Sequence, residues 1–203
     1  MKKVIRCLLI TLLSWVLGAC KSRLAPDAYV GYVRNTKNGL VRNISIANWD
    51  YSFQFKPVDY MMLMENKGEV NKDSKKRRES LKGTAWFNIS FKRSDGTVSP
   101  LRYDLGSREE YDSRYNYFLN QAVHTIRLLY NNTDTLRPIA YLFENNFNLT
   151  PQETMIVGFQ LPKGHDNPEN DMQLSYDDQV YKNGIIKVKF KSEDLRSIPN
   201  LIY

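Results

Sequence analysis

The chain has 203 residues, of which 42% are hydrophobic and 25% charged, and its formal net charge is +7. This composition is close to ordinary globular usage, and a chain of this length can bury a core in one domain without disulfides or metals. Its basic residues are spread along the chain instead of forming one stripe, which argues against nucleic-acid binding.

The first twenty residues have three parts. Lys2, Lys3 and Arg6 form a basic start, residues 8–17 form an apolar run, and Leu17-Gly18-Ala19-Cys20 ends it. An apolar run of about ten residues is too short to cross a bilayer, which takes roughly 20, and is typical of a secretory signal.

The tetrapeptide Leu17-Gly18-Ala19-Cys20 resembles the lipobox of bacterial lipoproteins, in which an aliphatic residue and two small residues precede a cysteine. The resemblance covers only residues 1–20. It implies that residues 1–19 are a signal peptide that is removed, and that Cys20, then the amino terminus, carries lipid on its thiol and its amine. Several acyl chains hold a protein firmly to a membrane. The alternative is an ordinary signal peptide with a chance cysteine at its end.

Lys21 follows the cysteine, where an aspartate retains lipoproteins in the inner membrane of well-studied Gram-negative bacteria. The resemblance therefore implies an outer-membrane lipoprotein, and the abundance of Asn, Tyr, Lys and Phe resembles the residue usage of Bacteroidetes-type bacteria. Surface-exported lipoproteins of those bacteria carry acidic residues after the cysteine, so the basic stretch 21–23 favours the periplasmic face. Loss of the signal peptide would remove three of the basic residues behind the formal charge of +7 and leave Cys20 as the sole cysteine. No disulfide or thiolate metal site is then expected.

Residues 20–28 are predicted to be a tether and residues 29–203 a single domain. In that domain apolar residues recur at every second position in runs bounded by turn residues, as in strands with one buried face. This pattern predicts a mostly β fold, specifically an antiparallel β-sandwich of the immunoglobulin-like kind. The residues predicted to face inward are Leu40, Ile44, Ile46, Tyr51, Phe53, Phe55, Ala85, Phe87, Ile89, Phe91, Met155, Val157, Phe159, Leu161, Met172, Leu174, Tyr176, Ile186, Val188 and Phe190.

Turn residues predict two hairpins. One lies at 94–97 and joins a strand ending near Arg93 to a strand at 98–103, because Gly96 supplies the positive φ that such turns require. The other lies at 131–134 and joins strands at 125–130 and 136–145. The polar, basic stretch 66–82 is predicted to be a mobile loop, because long loops in compact domains are usually mobile or functional.

One helix is predicted, at about 107–122. Ser107 and Glu110 have the spacing of a capping box at its start. The residues at helical spacing along one side are Tyr111, Tyr115, Phe118, Leu119 and Ala122. We expect this side to pack over an edge of a sheet or to plug one end of the domain.

Residues for catalysis or metal binding are sparse. His124 and His165 are the only histidines, too few for a histidine-rich zinc site, and no Gly-x-Ser-x-Gly turn presents a nucleophile. Residues 164–171, with Asp177 and Asp178, are rich in oxygen ligands and leave a weak calcium site as an alternative, but their spacing matches no EF-hand. We therefore expect no enzyme activity, no cofactor and no metal.

Two functions fit these observations. The first is an envelope lipoprotein that binds a protein partner as an accessory or assembly factor. The second is a glycan-binding lipoprotein, because strand alternation places Trp86 on the face opposite Phe87, where an exposed indole could stack on a sugar. The basic residues at 72–78 could in addition contact phosphate groups of lipopolysaccharide, an anionic membrane face or an acidic partner.

Overall fold

A computed structural model describes residues 22–67, 75–144, 146, 149–163 and 168–202. The lipobox-like tetrapeptide and Cys20 lie outside the described residues. Within them the chain forms eleven strands and five α-helices. The strands are β1 Arg23–Leu24, β2 Val41–Ile46, β3 Trp49–Lys56, β4 Thr84–Arg93, β5 Ile126–Tyr130, β6 Asp134–Leu136, β7 Pro138–Glu144, β8 Gln152–Gln160, β9 Met172–Asp178, β10 Gly184–Phe190 and β11 Asn200–Leu201. The helices are α1 Pro26–Arg34, α2 Val58–Glu65, α3 Lys75–Leu81, α4 Arg108–Asn120 and α5 Ser192–Arg196.

The strands form two antiparallel sheets and one small parallel pair. One sheet has five strands in the order β2-β3-β4-β8-β7, and the other has four in the order β10-β9-β5-β6. The strands β1 and β11 pair in parallel, near the two ends of the described chain. The prediction of a mostly β, antiparallel fold is confirmed.

The core lies between the inward faces of the two sheets. Every residue predicted to face inward is buried, apart from Ile44 and Ile46, which are partly buried. Aromatic rings meet across the interface: the centroids of Phe87 and Phe190 are 5.3 Å apart, and those of Tyr51 and Tyr176 are 6.5 Å apart. Burial of each large apolar side chain contributes roughly 1.5–3 kcal/mol, so this interface is the main source of stability.

Helix α4 forms where the sequence predicts a helix. The Ser107 hydroxyl accepts the backbone N–H of Glu110 at 3.2 Å, and the Glu110 carboxylate accepts that of Gly106 at 2.7 Å. Phe118 is fully buried and stacks on Phe91 and Phe143 of the five-stranded sheet. It also contacts Tyr181, which follows β9 of the other sheet. The helix therefore closes one end of the space between the sheets.

The prediction of one helix was wrong, because α1, α2, α3 and α5 form as well. Helix α1 starts with Pro26, whose fixed φ suits the first turn, and it buries only Tyr29 and Val33, a stripe too short to recognise. Helix α2 is apolar on most sides and therefore has no clear helical period.

The predicted tether at 20–28 is too long. Arg23 and Leu24 pair with Asn200 and Leu201, and α1 begins at Pro26. The partner strand is contributed by the far end of the chain, so no local pattern indicates this pairing.

The predicted mobile loop at 66–82 is also wrong in its second half, since residues 75–81 form α3; residues 68–74 lie outside the described residues. Leu81 is buried against Met61 and Met62 of α2. Arg77 pairs with Glu65 at 2.7 Å, and Arg78 pairs with Asp59. Acidic residues of α2 therefore fix the basic residues of α3 in place.

The two predicted hairpins have different outcomes. Asn131 and Asn132 adopt positive φ angles and connect β5 to β6, as predicted. The predicted strand at 136–145 is, however, divided between β6 in one sheet and β7 in the other. No strand forms at 98–103, where Pro100–Arg102 is a 3-10 helix, and β4 instead pairs with β3 and β8.

Candidate functional site

The described chain starts close to the predicted lipidation site. The Ser22 carbonyl accepts the backbone N–H of Asn200 at 2.9 Å, so the fold is hydrogen-bonded two residues after Cys20 in the sequence. Among the described residues, no helix combines the length and the apolarity needed to span a bilayer.

The residues considered for catalysis or metal binding do not come together. His124 is exposed in the 3-10 helix Ala122–Thr125, and His165 lies outside the described residues. In the described part of the chain, no three His, Cys, Asp or Glu side chains are grouped as metal ligands. Asp171 binds the Lys189 ammonium at 2.6 Å and the Ser192 N–H at 2.8 Å, which gives this carboxylate a structural role at the start of α5.

Asp178 is a buried carboxylate held entirely by neighbouring donors. The Tyr51 hydroxyl and the Asn183 amide both donate to it, the latter at 2.9 Å, and the Tyr181 N–H donates at 3.1 Å. Burial and the Asp178 carboxylate both raise the pKa of Tyr51, so its hydroxyl keeps its proton and remains a donor. These bonds join the β9–β10 turn to β3, so Asp178 has a structural role.

Trp86 is packed against the protein. Its ring lies on Gly158, where a Cβ atom would approach it to 3.0 Å, and its Nε1 donates to the Thr84 hydroxyl at 2.8 Å. Met61, Met62 and Leu81 pack against it, so α2 and α3 cover it instead of residues 107–122. Trp49 is buried and stacks on Tyr181. Neither indole is an open platform for a sugar.

Two edge strands, β2 and β10, border a groove of about 450 Å³ between the two sheets. Each of them pairs with only one neighbour among the described strands. We call this feature the edge groove. It is lined by Thr36, Val41, Arg42, Asn43, Ile44, Lys187, Val188 and Lys189.

The hydrogen bonding of β2 determines which of its backbone groups face the groove. Phe55 donates its N–H to the Leu40 carbonyl, so the alternate residues from Leu40 onward bond to β3. In an antiparallel ladder the residues between them direct their N–H and C=O groups to the other side. Val41, Asn43 and Ser45 therefore direct their backbone groups to the outside of the sheet, where no described strand pairs with them.

The opposite wall of the groove is partly occupied. Arg42 donates its Nε hydrogen to the Lys189 carbonyl at 3.0 Å, and its Nη2 binds Asp194 at 2.9 Å. One outward carbonyl of β10 thus already has a partner. Lys187 is exposed and makes no ion pair with any described residue, so it gives the groove a positive charge.

A smaller and more enclosed cleft of about 250 Å³ lies where α1, α3, α5 and the last strand approach one another. We call it the pole cleft. Its lining residues are Tyr29, Phe55, Lys56, Pro57, Val58, Asp59, Arg78, Thr84, Pro168, Glu169, Leu195, Ile198, Pro199 and Asn200.

The polar part of the pole cleft has a distinct charge arrangement. Asp59 and Arg78 form an ion pair, and their side chains remain 21% and 33% exposed. Tyr29 is only 1% exposed, and its hydroxyl makes no hydrogen bond with any described residue. Burial, followed by the Asp59 charge, raises its pKa, so the hydroxyl stays protonated. Neither cleft is indicated by the sequence, because the lining residues are far apart in the chain and form no motif.

Comparisons with known proteins assign no family. No protein-family model matches the chain, and no curated protein does. A protein of unknown function from Burkholderia pseudomallei K96243 is similar in structure, with 12% identity and a TM-score of 0.38 over 86% of this chain and 93% of that one. A DUF4426 family protein from Pseudomonas aeruginosa PAO1 has 4% identity and a TM-score of 0.34 over 74% of this chain and 91% of that one.

Proposed function

We propose that this protein is a lipoprotein of the outer membrane, anchored by lipid on Cys20 and facing the periplasm, whose domain binds an extended segment of an envelope protein without catalysing a reaction. The observation that carries the binding proposal is the outward backbone of Val41 and Asn43 at the edge groove, which pairs with no described strand. An exposed sheet edge is a template for an added strand, and recognition of this kind takes its affinity from main-chain hydrogen bonds.

The charge of the groove selects the partner segment. A strand added to β2 would have Lys187 beside it, on the opposite wall. A carboxylate on that strand would form an ion pair with Lys187, and complementary charges favour specificity and association rate. The proposed partner is therefore an extended segment with at least one acidic residue.

The proposed anchor would hold this domain close to the bilayer. The Ser22 carbonyl is already bonded to Asn200. The two residues from Cys20 to Ser22 span at most about 7 Å when fully extended. The domain would consequently meet partners that lie in or near the same membrane.

The domain's architecture is also part of what we propose. Two facing antiparallel sheets with aromatic contacts between them fit a β-sandwich, and we assign it to the immunoglobulin-like kind. An experimental structure would test that assignment through its strand connections.

The binding proposal is tested by placing a photo-crosslinking residue at position 43 of the full chain in its native cell. Leu142 is the matched control, because it is 56% exposed on β7, the edge strand at the other side of the five-stranded sheet. We expect a single crosslinked partner from position 43, lost when Lys187→Glu is added, and none from position 142. Crosslinking from position 142 alone, or a product that is indifferent to Lys187→Glu, would refute the groove as the binding site.

The anchor is tested separately. We expect the Cys20→Ser protein to lose the lipid-dependent shift in gel mobility and to be washed from membranes. If it keeps both the mobility and the membrane association of the unchanged protein, the anchor assignment is wrong.

Glycan binding is the second candidate function, and Tyr111 now carries it in place of Trp86. Tyr111 is partly exposed in a groove of about 510 Å³ that also contains Arg102 and Arg108. An aromatic ring in a groove that also holds two guanidinium groups could stack on an acidic sugar. Glycan-array binding that is lost in Tyr111→Ala but retained in Lys187→Glu would favour this function over protein binding.

A further inference from the structure

We propose that the pole cleft binds phosphoethanolamine, a small zwitterion with a phosphate group and a primary ammonium group. The cleft is smaller than the roughly 300–1,000 Å³ of sites for drug-sized molecules, which favours a ligand of this size. Its wall combines the two charges of the Asp59–Arg78 ion pair with Tyr29.

The Tyr29 hydroxyl is the first indication of a ligand. This side chain is almost completely buried, yet its hydroxyl has no hydrogen-bond partner among the described residues. Tyr29 lines the cleft, so a ligand oxygen bound there could accept a hydrogen bond from this hydroxyl. Because burial keeps this hydroxyl protonated, it would donate to an anionic oxygen.

The charges then decide the class of ligand. A guanidinium binds phosphate through two parallel hydrogen bonds, and Arg78 lines the cleft. Asp59, Glu169 and Lys56 line it too. A purely anionic ligand would be repelled by the two carboxylates, and a purely cationic one by Arg78 and Lys56. A zwitterion avoids both repulsions, with its phosphate toward Arg78 and Tyr29 and its ammonium toward the carboxylates.

The position of the cleft indicates a source for the ligand. Ile198, Pro199 and Asn200 line it, and Asn200 bonds to Ser22 at the start of the described chain. Since β1 and β11 run in parallel, Ser22 and residues 198–199 precede the paired strands on the same side. If the protein is anchored through Cys20, as in the proposed function, the cleft lies next to the lipid headgroups. A phosphoethanolamine headgroup and free phosphoethanolamine are the two sources of this chemistry.

The test is calorimetric titration of the full chain carrying Cys20→Ser, which does not depend on the anchor. We expect saturable binding of phosphoethanolamine, with affinity at least about tenfold higher than for phosphocholine, whose quaternary ammonium has no N–H donors, or for inorganic phosphate. Arg78→Gln and Asp59→Asn should each weaken binding by about tenfold or more, and Tyr29→Phe by a smaller factor. Arg77→Gln is the matched control, because the neighbouring Arg77 pairs with Glu65 and does not line the cleft.

Thermal unfolding of each variant shows whether it has folded, and Tyr29→Phe, which removes one atom, is the variant least able to disturb the fold. Absence of saturable binding by the folded protein, equal affinity for phosphocholine, or an equal loss in Arg77→Gln would overturn the proposal. Vesicles identify the source: co-sedimentation with phosphatidylethanolamine vesicles, but not with phosphatidylcholine vesicles, supports a lipid headgroup. Binding of the free compound without co-sedimentation supports the soluble ligand. If the Cys20→Ser experiment shows no lipid anchor but the protein still binds phosphoethanolamine, the site in the pole cleft stands and only the proposed membrane attachment is refuted.

Discussion

The guanidinium of Arg42 donates to the backbone carbonyl of Lys189 and thereby joins the edge strands of the two sheets, which are 147 residues apart in the sequence at this point. Asp194 holds the other side of the same guanidinium at 2.9 Å. Arg42 alternates with Val41 and Asn43 and so shares a face of β2 with Ile44 and Ile46, and its position on that face lets it reach the second sheet.

Replacing Arg42 by Ala should lower the free energy of unfolding by about 1 kcal/mol, because a partly exposed charged hydrogen bond and an ion pair are both lost. Arg42→Lys should recover only part of this, since a lysine cannot contact Lys189 and Asp194 with a planar fork. Urea unfolding measures both variants. Equal stability of Arg42→Ala and the unchanged protein would mean that the bond between Arg42 and Lys189 does not stabilise the packing of the two sheets.

Replacing Tyr51 by Phe should destabilise the protein by about 1–3 kcal/mol, because the buried Asp178 carboxylate would lose a donor. Tyr176→Phe is the matched control: the Tyr176 hydroxyl is buried without a partner among the described residues, so its removal should leave stability unchanged or raise it. Urea unfolding of the pair distinguishes loss of a hydrogen bond from loss of a hydroxyl as such. Similar losses in both variants would contradict the role of Asp178.

Glu153 should make stability fall as pH rises. It is 1% exposed, only one of its oxygens accepts a bond from a described residue, Ser99, and burial raises its pKa. A raised pKa in the folded state means that stability is highest when the group is protonated and declines as pH rises from the ordinary value through the folded one. The glutamine of Glu153→Gln stays neutral, so at pH 8 this variant should be more stable than the unchanged protein by about 1 kcal/mol. That difference corresponds to a melting temperature about 2–4 °C higher, and it should nearly vanish at pH 4.

Thermal unfolding from pH 4 to 8 makes this comparison, with the exposed Glu79→Gln as the control that should show no such trend. A melting-temperature difference for Glu153→Gln that does not change with pH would argue against a buried, ionised carboxylate.

Asp171 should have the opposite pH dependence. The Lys189 ammonium, followed by the Ser192 N–H, lowers its pKa to about 2. A lowered pKa in the folded state gives stability that is present above the ordinary value near 3.9 and is lost as pH falls toward 2. Asp171→Asn should therefore be slightly less stable than the unchanged protein above pH 4, with the difference closing at lower pH. Urea unfolding at pH 6 and pH 3 tests this, and the same deficit at both values would contradict it.

The alternation of apolar and polar side chains correctly predicted which face of each strand is buried. It did not predict which strands pair or which sheets pack together. Phe87 and Phe190 could each be recognised as inward-facing, because an apolar residue at every second position marks the buried side of a strand. That they meet across two sheets follows from pairings between distant segments, which the alternation does not encode. Turn residues were informative where the turn alone determined the hairpin, as at Asn131 and Asn132, and misleading at Gly96, where β4 already has strands on both sides.

The sequence by itself determined the strand faces, the cap and core stripe of α4, and the resemblance of residues 17–20 to a lipobox, since each of these depends on residues that are close in the chain. Only the tertiary structure decided that α3 covers Trp86 and that Asp59 neutralises Arg78. It alone also brought Tyr29 and Asn200 to one cleft, and Arg42 to Lys189. Binding surfaces of this kind are made by chain segments that are brought together by burial of the core, and the energy of that burial depends on apolar area and not on sequence order.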